Sequence, residues 1–204
     1  MLLTNAILSA VMNLVILVGI PFLPYYVFHK WRHKRGLAEI AKRLGLRLGE
    51  ARYIGYCSVC AAVVVGMLII WPPSLEPILR EGSAWKAFVG LGFGGPSIVM
   101  ALLYGVVKTG FAEEFLFRGM IAGSLSRRLP ILWANSLQAL IFLAPHLLIL
   151  TIMPEKWYLL IFIFAGSLFV GWVRIRSGSI VGPWLIHASV NFTMGLSVAI
   201  RTAT

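Results

Sequence analysis

A chain of 204 residues in which 59% are hydrophobic and 12% charged falls well short of the roughly 25% charged residues of a soluble domain. That excludes an ordinary water-soluble enzyme and points to an integral, multi-pass membrane protein. The net charge of +11 is no nucleic-acid footprint either, because eight of the eighteen Lys and Arg lie between Lys30 and Arg52, beside long apolar runs.

A membrane-crossing helix needs about 20 apolar residues. Six segments qualify, at roughly 5–28, 53–72, 97–126, 131–153, 157–174 and 179–200. The first lacks a basic leader and is too long for a signal-peptide core, so it reads as a retained span. Next comes a basic stretch, 29–52, in which Leu37, Ile40, Ala41, Leu44 and Leu48 recur at helical spacing. It reads as an amphipathic helix in the membrane interface or a short connector. Its charge suits either attraction to anionic membrane lipids or plain topology signalling. Cys57 and Cys60 sit inside the second apolar segment and read as small buried residues rather than a redox or metal pair. Segment 85–96, rich in glycine, reads as a partial or re-entrant piece or as the start of the third helix.

Charge then sets an expected orientation. Residues 29–52, 127–130 and 174–178 carry twelve Lys/Arg, whereas 73–86, 154–156 and the tail carry four. The positive-inside rule makes the first set cytoplasmic and both termini outward, with the cell membrane as the expected location. No internal repeat or second domain appears, so 1–204 is read as a single integral-membrane domain.

Few ionisable or strongly polar groups interrupt the later spans. The third holds Glu113, Glu114 and Arg118, the fourth His146, and the last His187 and Asn191. Counted at 1.5 Å per residue from the cytoplasmic ends, Glu113, His146, His187 and Asn191 lie roughly 21, 24, 15 and 21 Å deep. Three helices can thus bring a carboxylate, two imidazoles and an amide to one level. Glu114 and Arg118 are i,i+4 and can pair. Glu113, turned by about 100° on a regular helix, is left to face a cavity. His187 and Asn191 are i,i+4 and point together. Pro145 kinks the helix beside His146.

These motifs, E-E-x-x-x-R, F-x-x-x-H (Phe142, His146) and H-x-x-x-N, resemble the CAAX-protease and bacteriocin-processing (CPBP, ABI) family of intramembrane peptidases over about residues 97–195, its catalytic core. The resemblance implies that Glu113 and His146 activate a water and that His187 and Asn191 bind the oxyanion. Glu114 and Arg118 support the site, and Phe142 packs to orient His146. The family core has about eight helices, so the fold class expected is all-α, a polytopic transmembrane bundle of about six to eight membrane helices. The partners implied are membrane lipids and a peptide or lipidated protein substrate, with no nucleic acid.

Chemistry agrees with that assignment, since no serine or cysteine nucleophile is evident and a carboxylate-activated water is the natural alternative. No cofactor is expected, with zinc held by Glu113, His146 and His187 as the rival. That rival lacks the HExxH pattern. Two other classes stay open. A transporter also carries mid-membrane polar groups but calls for paired repeats. A non-catalytic scaffold or immunity protein would keep the fold without the reaction.

Overall fold

The computed structural model describes residues 2–203. Helices account for every regular element among them. Five are long and apolar enough to cross a membrane: α1 (Leu2–His33), α3 (Ala51–Ile70), α5 (Gly95–Leu125), α6 (Ile131–Ile152) and α7 (Leu159–Ser177). Between them lie the amphipathic α2 (Leu37–Leu44) and the single turn α4 (Leu75–Ile78). The chain ends in α8 (Val181–Arg201), which has the length of a span but not the apolarity. The sixth expected span is thus a helix enclosed by the others, packed on α3, α5 and α7. Enclosure removes the need for a wholly apolar surface, so α8 can carry His187, Asn191 and small polar residues.

Lipid-facing and inward-facing surfaces separate cleanly. Exposed large apolar side chains such as Ile7, Leu8, Val59, Val63, Leu132 and Phe162 form the outer faces. Such an inside-out distribution suits hydrocarbon, where exposed apolar groups cost nothing. Together with the helix lengths, it identifies an integral membrane protein.

Both charge sets drawn from the sequence gather at opposite ends. At one end Arg47 donates to the carbonyls of Ser177 (3.2 Å) and Gly178 (3.1 Å), and Arg127 to that of Arg43 (3.4 Å). At the other, Arg80 pairs with Glu155 at 2.9 Å, and Arg201 donates to the Pro73 carbonyl at 2.8 Å. α2 docks on the protein rather than only on lipid. Its Ile40 and Leu44 are fully buried against Phe115 of α5, whereas Leu37 and Leu48 stay exposed.

Segment 85–96 is not a helix of its own. A 3₁₀ turn (Ala84–Phe88) buries Phe88 against Met100, Ala101 and Val198, and a loop then leads through Gly90 and Gly92 into α5. Gly182 marks a close helix contact, because a Cβ there would sit 2.7 Å from Cys57 Sγ of α3. Gly178 instead takes a left-handed conformation (φ 66°) to end α7.

Two helices are widened. α1 opens into a π turn at Val15–Gly19, directly ahead of Pro21, whose ring would clash with the Leu17 carbonyl in a regular turn. α5 is π-helical over Leu103–Phe111 and again over Glu114–Ala122. π turns concentrate at functional sites, and the candidate residues of α5 lie at and between these two.

Candidate active site

Gly105 brings α5 and α8 together. A Cβ at Gly105 would stand 2.6 Å from the Phe192 nitrogen and 3.0 Å from the Ala188 carbonyl oxygen. Only a glycine therefore lets the two backbones meet at Ala188 and Phe192, the residues that follow His187 and Asn191. Within α5, a Cβ on Gly110 would overlap the Gly105 carbonyl, and the Thr109 hydroxyl donates to the Tyr104 carbonyl five residues back at 2.8 Å. Both features belong to the widened turn.

Glu114 and Arg118 form the buried base of the site. Each is 1% exposed, and Arg118 Nη1 lies 3.1 Å from Glu114 Oε1. Arg118 Nη2 donates to Ser167 Oγ of α7 at 3.0 Å, and its guanidinium lies 3.9 Å over the Phe142 ring of α6. Ser167 is held in turn, because Gln138 donates to its carbonyl at 2.9 Å. Three helices, α5, α6 and α7, thus share one polar network. The attraction within such a pair is large in a low-dielectric interior, and so is the cost of leaving one partner alone.

His187 stands between the two carboxylates. Its Nδ1 is 2.9 Å from Glu114 Oε1, and its Nε2 is 4.0 Å from Glu113 Oε2. A carboxylate only accepts, so Nδ1 carries the proton and the ring is held in one orientation. The longer distance is beyond a hydrogen bond. Glu113, unlike Glu114, keeps a partly exposed side chain and has no hydrogen-bond partner among the described residues. The two glutamates do point apart, as regular spacing implied, yet both reach the same imidazole.

Asn191, one turn beyond His187, donates Nδ2 to Thr109 Oγ1 at 2.8 Å. Thr109 lies four residues before Glu113, so this bond ties the amide to the same stretch of α5. His146 is brought in differently. Its Nδ1 donates to the Phe142 carbonyl at 2.7 Å, and its ring lies 4.5 Å from the Phe142 ring. The Phe142 ring stands 6.4 Å from that of His187 and 5.0 Å from that of Phe117. No hydrogen bond or ion pair joins His146 to Glu113 among the described residues. Phe142 is the piece that relates the two imidazoles, with Arg118 stacked on it.

The metal alternative can be tested on these side chains. Nδ1 of His187 donates to Glu114 and that of His146 to a backbone carbonyl, which leaves Nε2 of each ring as its available ligand atom. Among the described residues, no three His, Cys, Asp or Glu side chains are grouped so as to hold a metal ion. The side chains of Glu113, His146 and His187 therefore do not converge on one metal position as arranged.

Thr109, Ser167, Gln138 and Gly105 were not among the residues singled out from sequence. Each is small or uncharged, and a lone hydroxyl or glycine in a span carries no motif. Thr109 had one legible signal, its place a turn before the glutamate pair.

A family model described as "type II CAAX prenyl endopeptidase Rce1-like" matches residues 95–193. No curated protein and no solved structure matches the chain. The matched stretch runs from the start of α5 to just past Asn191 and holds every candidate site residue. Over residues 95–193 the chain is thus similar to the Rce1-like CAAX prenyl endopeptidases.

Proposed function

We propose that this protein is an intramembrane endopeptidase that hydrolyses a peptide bond of a membrane-associated protein or peptide with a glutamate-activated water. Glu113 takes a proton from the water as its oxygen attacks the scissile carbonyl carbon. The tetrahedral oxyanion accepts hydrogen bonds from Asn191 Nδ2 and, when the imidazole is doubly protonated, from His187 Nε2–H. The C–N bond then breaks, and the leaving amine receives the proton from Glu113, with His146 as its relay. Glu114 orients His187, Arg118 balances Glu114, and Phe142 spaces the two histidines.

The observation that carries this reading is the pair of carboxylates on opposite nitrogens of one ring, 2.9 Å and 4.0 Å away. One is buried and spent on orientation. The other is partly exposed, without a hydrogen-bond partner among the described residues, and 4.0 Å from Nε2, where a small side-chain shift admits a water between them. A purely structural pair has no use for the second carboxylate.

A prenylated CAAX-type tail is the first substrate to try, because the family's description names that class. Residues 29–52 are proposed to face the cytoplasm and both termini the outside, on the strength of the charge difference between the two ends. The test is cleavage of a farnesylated CAAX peptide, and of a library of unmodified membrane peptides, by protein reconstituted in liposomes. Glu113→Gln is expected to slow hydrolysis by at least about 100-fold, within the usual range for a lost general base. Full activity in that variant would overturn the assignment.

A further inference from the structure

Away from the candidate active site, at the strongly basic end of the bundle, six basic side chains meet around one cavity. His29 and His33 come from α1, Arg35 from the turn after it, Arg43 from α2, and Arg127 and Arg128 from the segment after α5. The cavity measures about 240 Å³, several times the roughly 30 Å³ share of one water in the liquid.

Its charge is not balanced from within. All seven acids of the chain are glutamates. Only Glu39 and Glu50 lie at this end, and they pair with Arg35 (2.7 Å) and Arg52 (2.8 Å). Among the described residues Arg43, Arg127 and Arg128 meet no carboxylate. Arg127 is spent on neutral acceptors, Ser124 Oγ at 3.1 Å and Tyr25 Oη at 3.3 Å, beside the Arg43 carbonyl. Arg43 Nε is buried with no hydrogen-bond partner. Partial burial, together with the charges of Arg43 and Arg35 and against the pull of Tyr25, holds the Arg127 guanidinium below its ordinary value. Like charges gathered this closely raise the energy of the empty site, and a bound anion lowers it.

Guanidinium groups match the planar edges of phosphate oxygens and bind them two bonds at a time. The rim adds a second observation. Phe28, which lines the cavity, is 52% exposed, and neighbouring Trp31 is 80% exposed. Aromatic rings in this position anchor at the headgroup level of a membrane, so an acyl chain can run beside them while its headgroup sits among the arginines. We infer that this cavity is an anion site whose ligand is a phosphate group, carried on an anionic lipid headgroup or free in solution.

The experiment uses the full chain purified in a non-ionic detergent. Native mass spectrometry titrates it with dihexanoyl phosphatidylglycerol, dihexanoyl phosphatidylcholine and inorganic phosphate. Arg128→Gln is the primary variant, because Arg128 is exposed and makes no side-chain hydrogen bond among the described residues. Arg43→Gln is the second. Lys30→Gln with Arg32→Gln, two exposed charges at the same end that do not line the cavity, is the control. Each arginine variant is expected to weaken phosphatidylglycerol binding about tenfold, and the control less than twofold. Tighter binding of phosphatidylglycerol than of inorganic phosphate assigns the source to lipid, and equal binding assigns it to the free anion. Either result supports the site. Equal weakening by the control and by Arg128→Gln would mean a diffuse field and would overturn it, as would no binding of either anion.

Discussion

His187 is held by Glu114 through a 2.9 Å bond from Nδ1 to Oε1. That one contact assigns different work to two adjacent glutamates. Glu114 is enclosed and bound on one side by Arg118, so it is a fixed acceptor. Glu113 is left with its oxygen 4.0 Å from the other nitrogen of the same ring. Adjacent carboxylates in a membrane helix are costly. Here one is neutralised by the Arg118 guanidinium and the other opens toward the place where a water can stand.

Stability separates the two glutamates. Glu114→Gln leaves Arg118 charged and uncompensated in the interior, which is expected to cost on the order of 3–5 kcal/mol. Glu113→Gln, at a partly exposed carboxylate without a partner, is expected to leave unfolding within about 1 kcal/mol of wild type. Adding Arg118→Met to Glu114→Gln should recover much of the stability and none of the hydrolysis, because His187 still lacks its charged acceptor. Thermal unfolding in detergent, read beside peptide cleavage, checks this. Equal loss of stability in the two single variants would contradict the division of labour.

The helix contact at Gly105 makes a geometric prediction. A methyl group there meets backbone atoms of α8 rather than a side chain that can swing away. Gly105→Ala is expected to cost about 1–3 kcal/mol. Its effect on hydrolysis should be larger, up to about 100-fold, because pushing α8 outward carries His187 and Asn191 away from Glu113. Gly66→Ala of α3 is the control, since a Cβ there meets nothing within 4 Å. It should leave activity unchanged. A Gly105→Ala protein with full activity would show that the close approach is incidental.

Much of this arrangement was legible in the sequence, for a physical reason. Charges inside apolar runs stand out because they are expensive, so Glu113, Glu114, Arg118, His146 and His187 announce themselves. The division of Lys and Arg between two ends was equally readable and matches the two ends of the bundle. What could not be read was the widening of α5. Period counting assumes a regular turn, and π turns leave no compositional mark beyond glycines such as Gly105 and Gly110. Partners of neutral charge, Thr109 and Ser167, were invisible because a hydroxyl in a span is cheap. The last helix, α8, was expected from 179–200, but nothing local told that its polar residues would be covered by α3, α5 and α7. The apolar face of α2 was evident from Ile40 and Leu44, but nothing local told that Phe115 rather than lipid would receive it.

Metal removal is expected to leave hydrolysis unchanged. Among the described residues, the Glu113, His146 and His187 side chains do not come together as ligands of one ion. Dialysis against a strong chelator, followed by elemental analysis and the same cleavage assay, is the measurement. Loss of activity restored by one equivalent of zinc would require the three side chains to rearrange and would replace the glutamate-water mechanism.

Thr109 and Asn191 give the sharpest test of the oxyanion role, because one can be changed without touching the other. Asn191 donates one amide hydrogen to Thr109 Oγ1 at 2.8 Å, and the Thr109 hydroxyl passes its own proton to the Tyr104 carbonyl. This fixes the amide plane and leaves its second hydrogen for substrate. Thr109→Val removes the acceptor while keeping the shape, so a buried donor loses its partner at a cost of about 1–3 kcal/mol. Hydrolysis should fall through kcat by roughly 10-fold with KM little changed, since an amide that swivels weakens only the bond formed in the transition state. Thr109→Ser, which keeps the hydroxyl, should restore the rate. Asn191→Ala should be the more severe, about 100-fold in kcat, as for loss of an oxyanion donor. If Thr109→Val raised KM and left kcat alone, Asn191 would be binding substrate in its ground state, and the oxyanion would have to be held by His187 without it.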